Sequence, residues 1–212
     1  MVINSSAIEK MPLDGGILCL DFVNSVHDRK KAPLKDYFSN AGDILMWGKR
    51  AGIVNESSFG ILAKKIDSGT QDLTGFHKKA IELRELLYGI FLKIVRRSGI
   101  LQSELTSFNE FLSSYFNAVT VKFENGNFFE SWKWKGEDLN RILLSVIKSS
   151  HELMLSGRLD RVKECPNCGW LFLDTTKNGK RKWCSMKSCG SGVKALDYYY
   201  RKKKTNKNKQ GS

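Results

Sequence analysis

The sequence predicts a mainly helical protein of the α+β class, made of a helical N-terminal domain with one β-hairpin and a small cysteine-bearing C-terminal module. Only three prolines occur in 212 residues, which favours helices over a proline-punctuated all-β architecture. Apolar residues recur at three- and four-residue intervals in several long segments. Four of the five cysteines fall between 165 and 189, in a basic stretch too short to build a large core.

The N-terminal stretch to about Gly16 is polar, and we expect it to be loosely ordered. Apolar spacing from Leu18 to Val26 predicts a first helix over 17–29, and Asn40 or Asp43 is a candidate cap for the second. Further helices are predicted over 56–67, 75–99, 102–116 and 138–157. Gly99 and Gly157 are the predicted stop signals of the second and the fourth of these helices. Asn125-Gly126, between β-branched and aromatic residues, predicts a hairpin turn.

Composition and charge change near Gly157-Arg158. We therefore predict a helical domain over 1–157, a basic module over 158–200 and a disordered basic tail over 201–212. The formal net charge is +13, and the stretch from Arg158 onwards carries fifteen Lys and Arg against four Asp and Glu. Such an asymmetry favours a polyanionic partner such as nucleic acid, although a solubilising basic tail would look the same.

The chain shows no segment approaching the roughly 20 apolar residues that span a bilayer. We therefore expect a cytoplasmic protein with no membrane partner. In that compartment disulfides are disfavoured, and clustered cysteines are more often metal ligands.

The four clustered cysteines have the spacing of a zinc site. Two residues lie between Cys165 and Cys168, four lie between Cys184 and Cys189, and fifteen lie between the two pairs. Two such pairs fit one tetrahedral, structural Zn²⁺ with no open position for a catalytic water. Redox chemistry at the first pair, or another metal, stays open as an alternative.

The surroundings of these cysteines predict a zinc-finger module of the zinc-ribbon or treble-clef kind. Asn178-Gly179 predicts a β-hairpin between 170–176 and 180–184, and a short helix is expected with Ser191 as its cap. Basic and aromatic side chains on the hairpin and helix are candidates for phosphate contact or base stacking. These predicted nucleic-acid-binding residues are Lys180, Arg181, Lys182, Lys194, Tyr198, Arg201, Lys202 and Lys203.

A second candidate site lies on the first predicted helix. Asp21, Asn24 and Asp28 follow at intervals of three and four residues, beside Arg29, and a polar row on an apolar helix could line a small-molecule pocket. Arg84 is a candidate partner for one of these carboxylates. The alternative is that these are buried groups satisfied by neighbouring backbone. Cys19 is interpreted as a buried core thiol.

The stretch "CPNCGWLFLDTTKNGKRKWCSMKSCG", with "SGRLDRVKEC" before it, resembles the CGNR zinc-finger family of bacterial proteins. The segments "LCLDFVNSVHDR", "ILMWGKRAGIV" and "ELRELLYGIF" resemble the ABATE domain that accompanies this finger. The resemblance implies zinc ligation by Cys165, Cys168, Cys184 and Cys189, and a stress-induced transcriptional regulator. The namesake Cys-Gly-Asn-Arg stands here as Cys189-Gly190-Ser191-Gly192, so the family's arginine is replaced by Gly192.

The leading hypothesis is a DNA-binding regulator, with a sensory N-terminal domain for an unknown small-molecule effector and a possible homodimer on long DNA sites. One alternative is an RNA-binding protein whose aromatics stack on single-stranded bases. Another is a ligand- or protein-interaction module in which the zinc finger is purely structural. No phosphate loop, nucleophile elbow or HExxH pattern occurs, so we predict no enzymatic activity.

Overall fold

The computed structural model describes residues 6–69, 72–133 and 137–192. Seven α-helices and two small antiparallel sheets account for most of them, which confirms the predicted fold class. The helices are α1 (Ser6–Lys10), α2 (Leu18–Val23), α3 (Ala41–Arg50), α4 (Glu56–Asp67), α5 (Leu73–Val95), α6 (Gln102–Ala118) and α7 (Asn140–Leu155). The strands are β1 (Val119–Glu124), β2 (Asn127–Trp132), β3 (Val162–Glu164) and β4 (Leu171–Leu173).

Side-chain caps explain where several helices begin. The Asn40 side chain accepts hydrogen bonds from the backbone N–H groups of Gly42 and Asp43 at 2.8 and 3.2 Å, so the predicted cap of α3 is confirmed. Asp138 accepts a hydrogen bond from the Asn140 N–H at 2.8 Å at the start of α7. Each bond satisfies a donor that has no partner within its helix.

The main core lies between α2, α3, α5 and α7. Trp47 of α3 is fully buried and packs edge-on against Phe22 and Phe38, with ring centroids 5.3 and 5.9 Å apart. Val162 of β3 and Leu171 of β4 belong to the same buried cluster. The start of the C-terminal module therefore packs on the helical body.

The prediction of a loosely ordered N-terminus is wrong for residues 6–16. Ile8 of α1 and Met11 after it are fully buried in the main core. The Arg50 guanidinium donates hydrogen bonds to the backbone carbonyls of both residues. Two buried apolar side chains and one arginine therefore anchor the first part of this otherwise polar segment.

The first predicted helix is shorter than its apolar spacing suggested. α2 ends at Val23, and Asn24 follows as its C-terminal cap residue. The chain then forms an isolated antiparallel bridge between Val26 and Asp36. Asp28 thus lies in a loop, and the predicted polar row on one helix face does not exist.

The two hairpins differ in how well the sequence predicted them. β1 and β2 pair around Asn125 and Gly126, whose positive φ angles of 51° and 78° make the expected tight turn. The prediction of a hairpin around Asn178-Gly179 is wrong. β4 pairs instead with β3, upstream of it, and no strand follows that turn within the described residues of the module.

The end of α5 also differs from the prediction. Arg97, not Gly99, takes the left-handed conformation after the helix, with φ 54°. Its N–H donates to the Ile94 carbonyl at 3.1 Å, and the Ser98 N–H reaches the Lys93 carbonyl at 2.9 Å, so the helix closes in a Schellman arrangement.

Among residues 6–69, 72–133 and 137–192, no helix combines the length and apolar character needed to cross a membrane. α7 ends before Gly157, which has a φ of 68°, next to the predicted domain boundary.

Candidate metal centre and its docking surface

The first two cysteines lie on the connection between β3 and β4. The Gly169 N–H donates to the Cys165 carbonyl at 2.9 Å, and the Cys165 N–H donates to the Trp170 carbonyl at 2.7 Å. Gly169 has a φ of 74°, and a Cβ there would lie 2.9 Å from the Arg29 Cβ. Glycine is required because both the turn and the close packing exclude a side chain.

The second pair sits at a helical turn, Met186–Gly190, that follows Cys184. Ser185 caps this turn, since its side chain accepts from the Ser188 N–H and its carbonyl accepts from the Cys189 N–H at 3.1 Å. Ser191 follows this turn as its C-terminal cap residue and has helical backbone dihedrals, and the short helix predicted from Ser191 onwards lies, beyond Gly192, outside the described residues.

The four cysteines converge on one point. Their sulfur atoms lie within 4.8 Å of one another, and three of the Sγ–Sγ distances, among Cys168, Cys184 and Cys189, are 3.6 Å. Disulfide sulfurs would be about 2.05 Å apart. Zn–S bonds of about 2.3 Å in a tetrahedron place sulfurs roughly 3.8 Å apart. The thiols are therefore spaced for one tetrahedral metal ion.

The chemistry of this donor set also fits zinc. All four cysteines are buried, with at most 8% of their surface exposed. Hydrogen bonds with the Cys168 and Cys184 thiols lower the pKa of Cys165, and the hydrogen bonds within the same cluster raise the pKa values of Cys168 and Cys184. The arrangement is consistent with one structural Zn²⁺ in a four-cysteine site.

The Arg181 side chain stabilises the segment around Cys184 through hydrogen bonds to backbone carbonyls. Its guanidinium donates to the carbonyls of Cys184, Trp183 (3.0 Å) and Asp14 (3.2 Å), and lies 4.7 Å from the Phe172 ring centroid. Because these contacts occupy the guanidinium, we assign Arg181 a structural role in place of the predicted phosphate contact. Its two neighbours, Lys180 and Lys182, are exposed.

An ion pair with a buried carboxylate supports the loop that carries these lysines. Lys163 Nζ lies 2.6 Å from Asp174 Oδ2 and also donates to the carbonyls of Gly179 and Arg181. Burial alone would raise the pKa of Asp174, but the Lys163 ammonium and hydrogen bonds from Thr176 and Arg181 hold it well below its usual value. Sequence reasoning missed Lys163 and Asp174 because neither stands in a recognisable motif.

The remaining predicted nucleic-acid-binding residues lie outside the described part of the chain. They are Lys194, Tyr198, Arg201, Lys202 and Lys203.

Two residues of the predicted ligand pocket hold the free edge of β4. Asn24 Nδ2 donates to the Leu171 carbonyl at 2.8 Å, and Asn24 Oδ1 accepts from the Leu171 N–H at 2.9 Å. Asp21 accepts from the Gly15 N–H at 2.8 Å, and the Gly15 carbonyl accepts from the Leu173 N–H at 2.8 Å. Burial raises the pKa of Asp21 to about 6. The Asn24 side chain therefore bonds the free edge of β4 directly, and Asp21 positions Gly15, which also bonds this edge. Together they replace the hydrogen bonds of a third strand.

Arg29 and Arg84 meet at Glu85. Arg29 Nη1 lies 2.5 Å from Glu85 Oε2, and its guanidinium stacks 4.0 Å over the Tyr88 ring. Arg84 makes two hydrogen bonds to Asp36, at 2.7 and 2.6 Å, so the expected pairing with Asp21 or Asp28 is wrong. Both arginines support the loop between α2 and α3.

That loop is the surface on which the first cysteine pair docks. The Arg29 N–H donates to the Cys168 carbonyl at 2.8 Å, and Trp170 Nε1 donates to the Val26 carbonyl at 2.6 Å. From α5, the Tyr88 hydroxyl donates to the Gly169 carbonyl at 3.0 Å.

Asp28, the fifth predicted pocket residue, accepts from the Lys30 N–H at 2.9 Å and pairs with Lys31 at 3.4 Å. It lines a pocket of about 220 Å³ next to Cys168 and Cys189. Each of the five polar residues thus has a partner within the protein. What they share is that they belong to, or stabilise, the segments on which the metal centre docks. Cys19 is fully buried, as predicted, and burial raises its pKa to about 12.

Comparison with known families agrees with this geometry. Residues 161–202 match the CGNR zinc finger family. No curated protein matches the chain. Residues 161–202 are therefore similar to a CGNR zinc finger, with Cys165, Cys168, Cys184 and Cys189 placed to bind its metal.

Proposed function

We propose that the protein is a zinc-containing regulator that binds duplex DNA through the phosphate backbone. The observation that carries the proposal is a set of exposed lysines without ion pairs on the loops that the metal centre organises. Among the described residues of the C-terminal module these are Lys177, Lys180, Lys182 and Lys187. Free ammonium groups on an ordered loop can each neutralise a phosphate.

The acidic residues of the module neutralise little of the positive charge of these exposed lysines. Asp174 is buried against Lys163, and Glu164 pairs with Arg96 of α5 at 3.1 Å and with Lys30 at 3.5 Å. Four thiolates around Zn²⁺ add a charge of −2, but this charge is enclosed by protein because all four cysteines are buried.

The proposed role of zinc is to order the module and not to catalyse. Four protein ligands complete a tetrahedral site, which leaves no position for a reacting water. The proposal accordingly includes no enzymatic step.

The test is the salt dependence of binding to random-sequence duplex DNA, with zinc content measured on the same sample. We expect one zinc per chain and a slope of log affinity against log salt of about −2 or steeper, since each phosphate contact contributes about −0.9. Removing zinc with a chelator should abolish binding, because the lysine-bearing loops lose their support. Zinc-loaded protein that shows no binding at low salt would contradict the proposal.

Competition with structured RNA separates the proposed DNA partner from RNA. Stronger competition by single-stranded or looped RNA than by duplex DNA would favour base stacking on aromatics such as Trp183, against which Lys182 lies at 5.0 Å.

A second candidate function belongs to another class. The extensive docking of the cysteine turn on the loop between α2 and α3 would also suit an interaction module in which zinc only completes the fold. In that case the zinc-loaded protein binds no nucleic acid. Regulation by stress and a small-molecule effector are further parts of the proposal, motivated by the resemblance to a family of stress-induced regulators. A homodimer is a further part, because so small a basic module would need a second copy on a long DNA site.

A further inference from the structure

An open cleft of about 730 Å³ lies between the C-terminal end of α5 and the C-terminal module. Residues from three segments line it: the end of α5, the stretch 159–166 and the loop 180–182. The cleft therefore joins the helical body to the loop that carries Lys180 and Lys182.

The lining of this cleft is mainly cationic. Five basic side chains face two carboxylates, and one of the carboxylates, Glu164, is already paired with Arg96 and Lys30. The five basic residues are Arg97, Lys163, Lys180, Arg181 and Lys182. Lys163 and Arg181 are engaged in the internal bonds described above, which leaves Arg97, Lys180 and Lys182 without ion pairs among the described residues.

Arg97 is an unusual residue for its position. The site after a Schellman-type helix end is left-handed and normally favours glycine. Here an exposed arginine with φ 54° occupies it, although Gly99 stands two residues further on. Arg96 pairs with Glu164 and so ties this helix end to β3, which places Arg97 in the lining of the cleft.

We infer that a phosphodiester backbone passes through this cleft and that Arg97 is a phosphate-binding residue supplied by the helical body. The inference rests on the proposed function and adds a contact outside the zinc-finger sequence. Arg97, at the end of α5, precedes both cysteine pairs in sequence, whereas the lysine loop lies between the two pairs. The tertiary fold therefore assembles one binding surface from two distant parts of the chain.

The experiment compares DNA affinity and salt slope for the full zinc-loaded chain and its variants. Arg97→Gly should weaken binding about eightfold at 0.1 M salt and make the slope shallower by about 0.9, since one phosphate contact is lost. Glycine suits the left-handed position, so the thermal midpoint should be unchanged or higher. Arg97→Lys keeps the charge and should retain most of the affinity.

Two further variants give matched controls. Lys64→Gln removes an exposed cation of α4 that has no ion pair within residues 6–69, 72–133 and 137–192 and does not line the cleft, and it should leave affinity and slope unchanged. Asp160→Asn removes the carboxylate of the cleft lining that has no ion pair among the described residues, and it should strengthen binding, which a damaged fold could not produce.

The outcomes distinguish this inference from the proposed function. If wild type binds with a steep slope and Lys180→Gln weakens it, while Arg97→Gly behaves like Lys64→Gln, the cleft is not the phosphate path and the inference fails alone. If the zinc-loaded wild type binds no DNA, the proposed function fails and the inference fails with it.

Discussion

Single residues around the metal centre have roles that their type alone does not reveal. Lys180 and Arg181 are neighbours in a basic run, yet Lys180 is exposed while the Arg181 guanidinium is bound by three backbone carbonyls. Arginine suits the internal position because its planar group donates in several directions at once. Charge counting therefore overstates the number of phosphate contacts available on this loop.

Gly192 is the residue at which the chain departs most clearly from the family's Cys-Gly-Asn-Arg signature. A Cβ built on Gly192 meets no atom within 4 Å, and its φ lies outside the left-handed region. A side chain can therefore begin at this position without its Cβ contacting any described neighbour.

We expect Gly192→Arg to strengthen binding to duplex DNA about eightfold at 0.1 M salt and to steepen the salt slope by about 0.9. Gly192→Ala is the matched control, because it adds a side chain and helix propensity without a charge. Equal affinities for the two variants would show that this position does not face phosphate.

At the scale of elements, the short strand β4 explains why the module folds onto the helical body. One edge of β4 pairs with β3, and the other edge is covered by the Asn24 side chain and the Gly15 carbonyl. A two-stranded hairpin is only marginally stable alone. In place of a third strand, the helical body bonds this edge through the Asn24 side chain and the Gly15 carbonyl.

Replacing Asn24 tests this arrangement. Asn24→Leu keeps the size of the side chain but leaves the buried N–H and C=O of Leu171 unpaired, so we expect a loss of about 3 kcal/mol in the free energy of unfolding. Urea denaturation of the zinc-loaded protein measures this change in the free energy of unfolding. Asn167→Leu, the same change at an exposed position of the cysteine turn, should alter stability by no more than about 0.5 kcal/mol. Similar effects of the two changes would contradict the role assigned to Asn24.

At the scale of the whole molecule, the metal centre and the helices share one folded unit. Leu171 and Leu173 of β4 belong to the main core, and Trp170, beside the cysteines, donates to the Val26 carbonyl of the loop after α2. Zinc should therefore stabilise the helices as well as the finger.

Zinc removal tests this coupling. We expect a chelator to lower the thermal midpoint while the protein still unfolds in a single transition, and a loss of about 4 kcal/mol would lower it by roughly 10 °C. Cys168→Ser should behave like chelated protein. Cys19→Ala, which removes the buried cysteine outside the cluster, should retain zinc and respond to the chelator as wild type does. Two separate transitions, with only one sensitive to the chelator, would mean that the module folds independently.

The sequence by itself determined the longer helices α3 to α7, the hairpin at Asn125-Gly126 and the four metal ligands. Helical periodicity, turn dipeptides and cysteine spacing are local signals, and each depends on residues close together in the chain. Only the tertiary structure decided which strand pairs with β4, what Asn24 binds and that Arg97 lines the same cleft as Lys182. Asn24 and Leu171 are 147 residues apart, and contacts over such separations depend on how the elements pack, which no local pattern records.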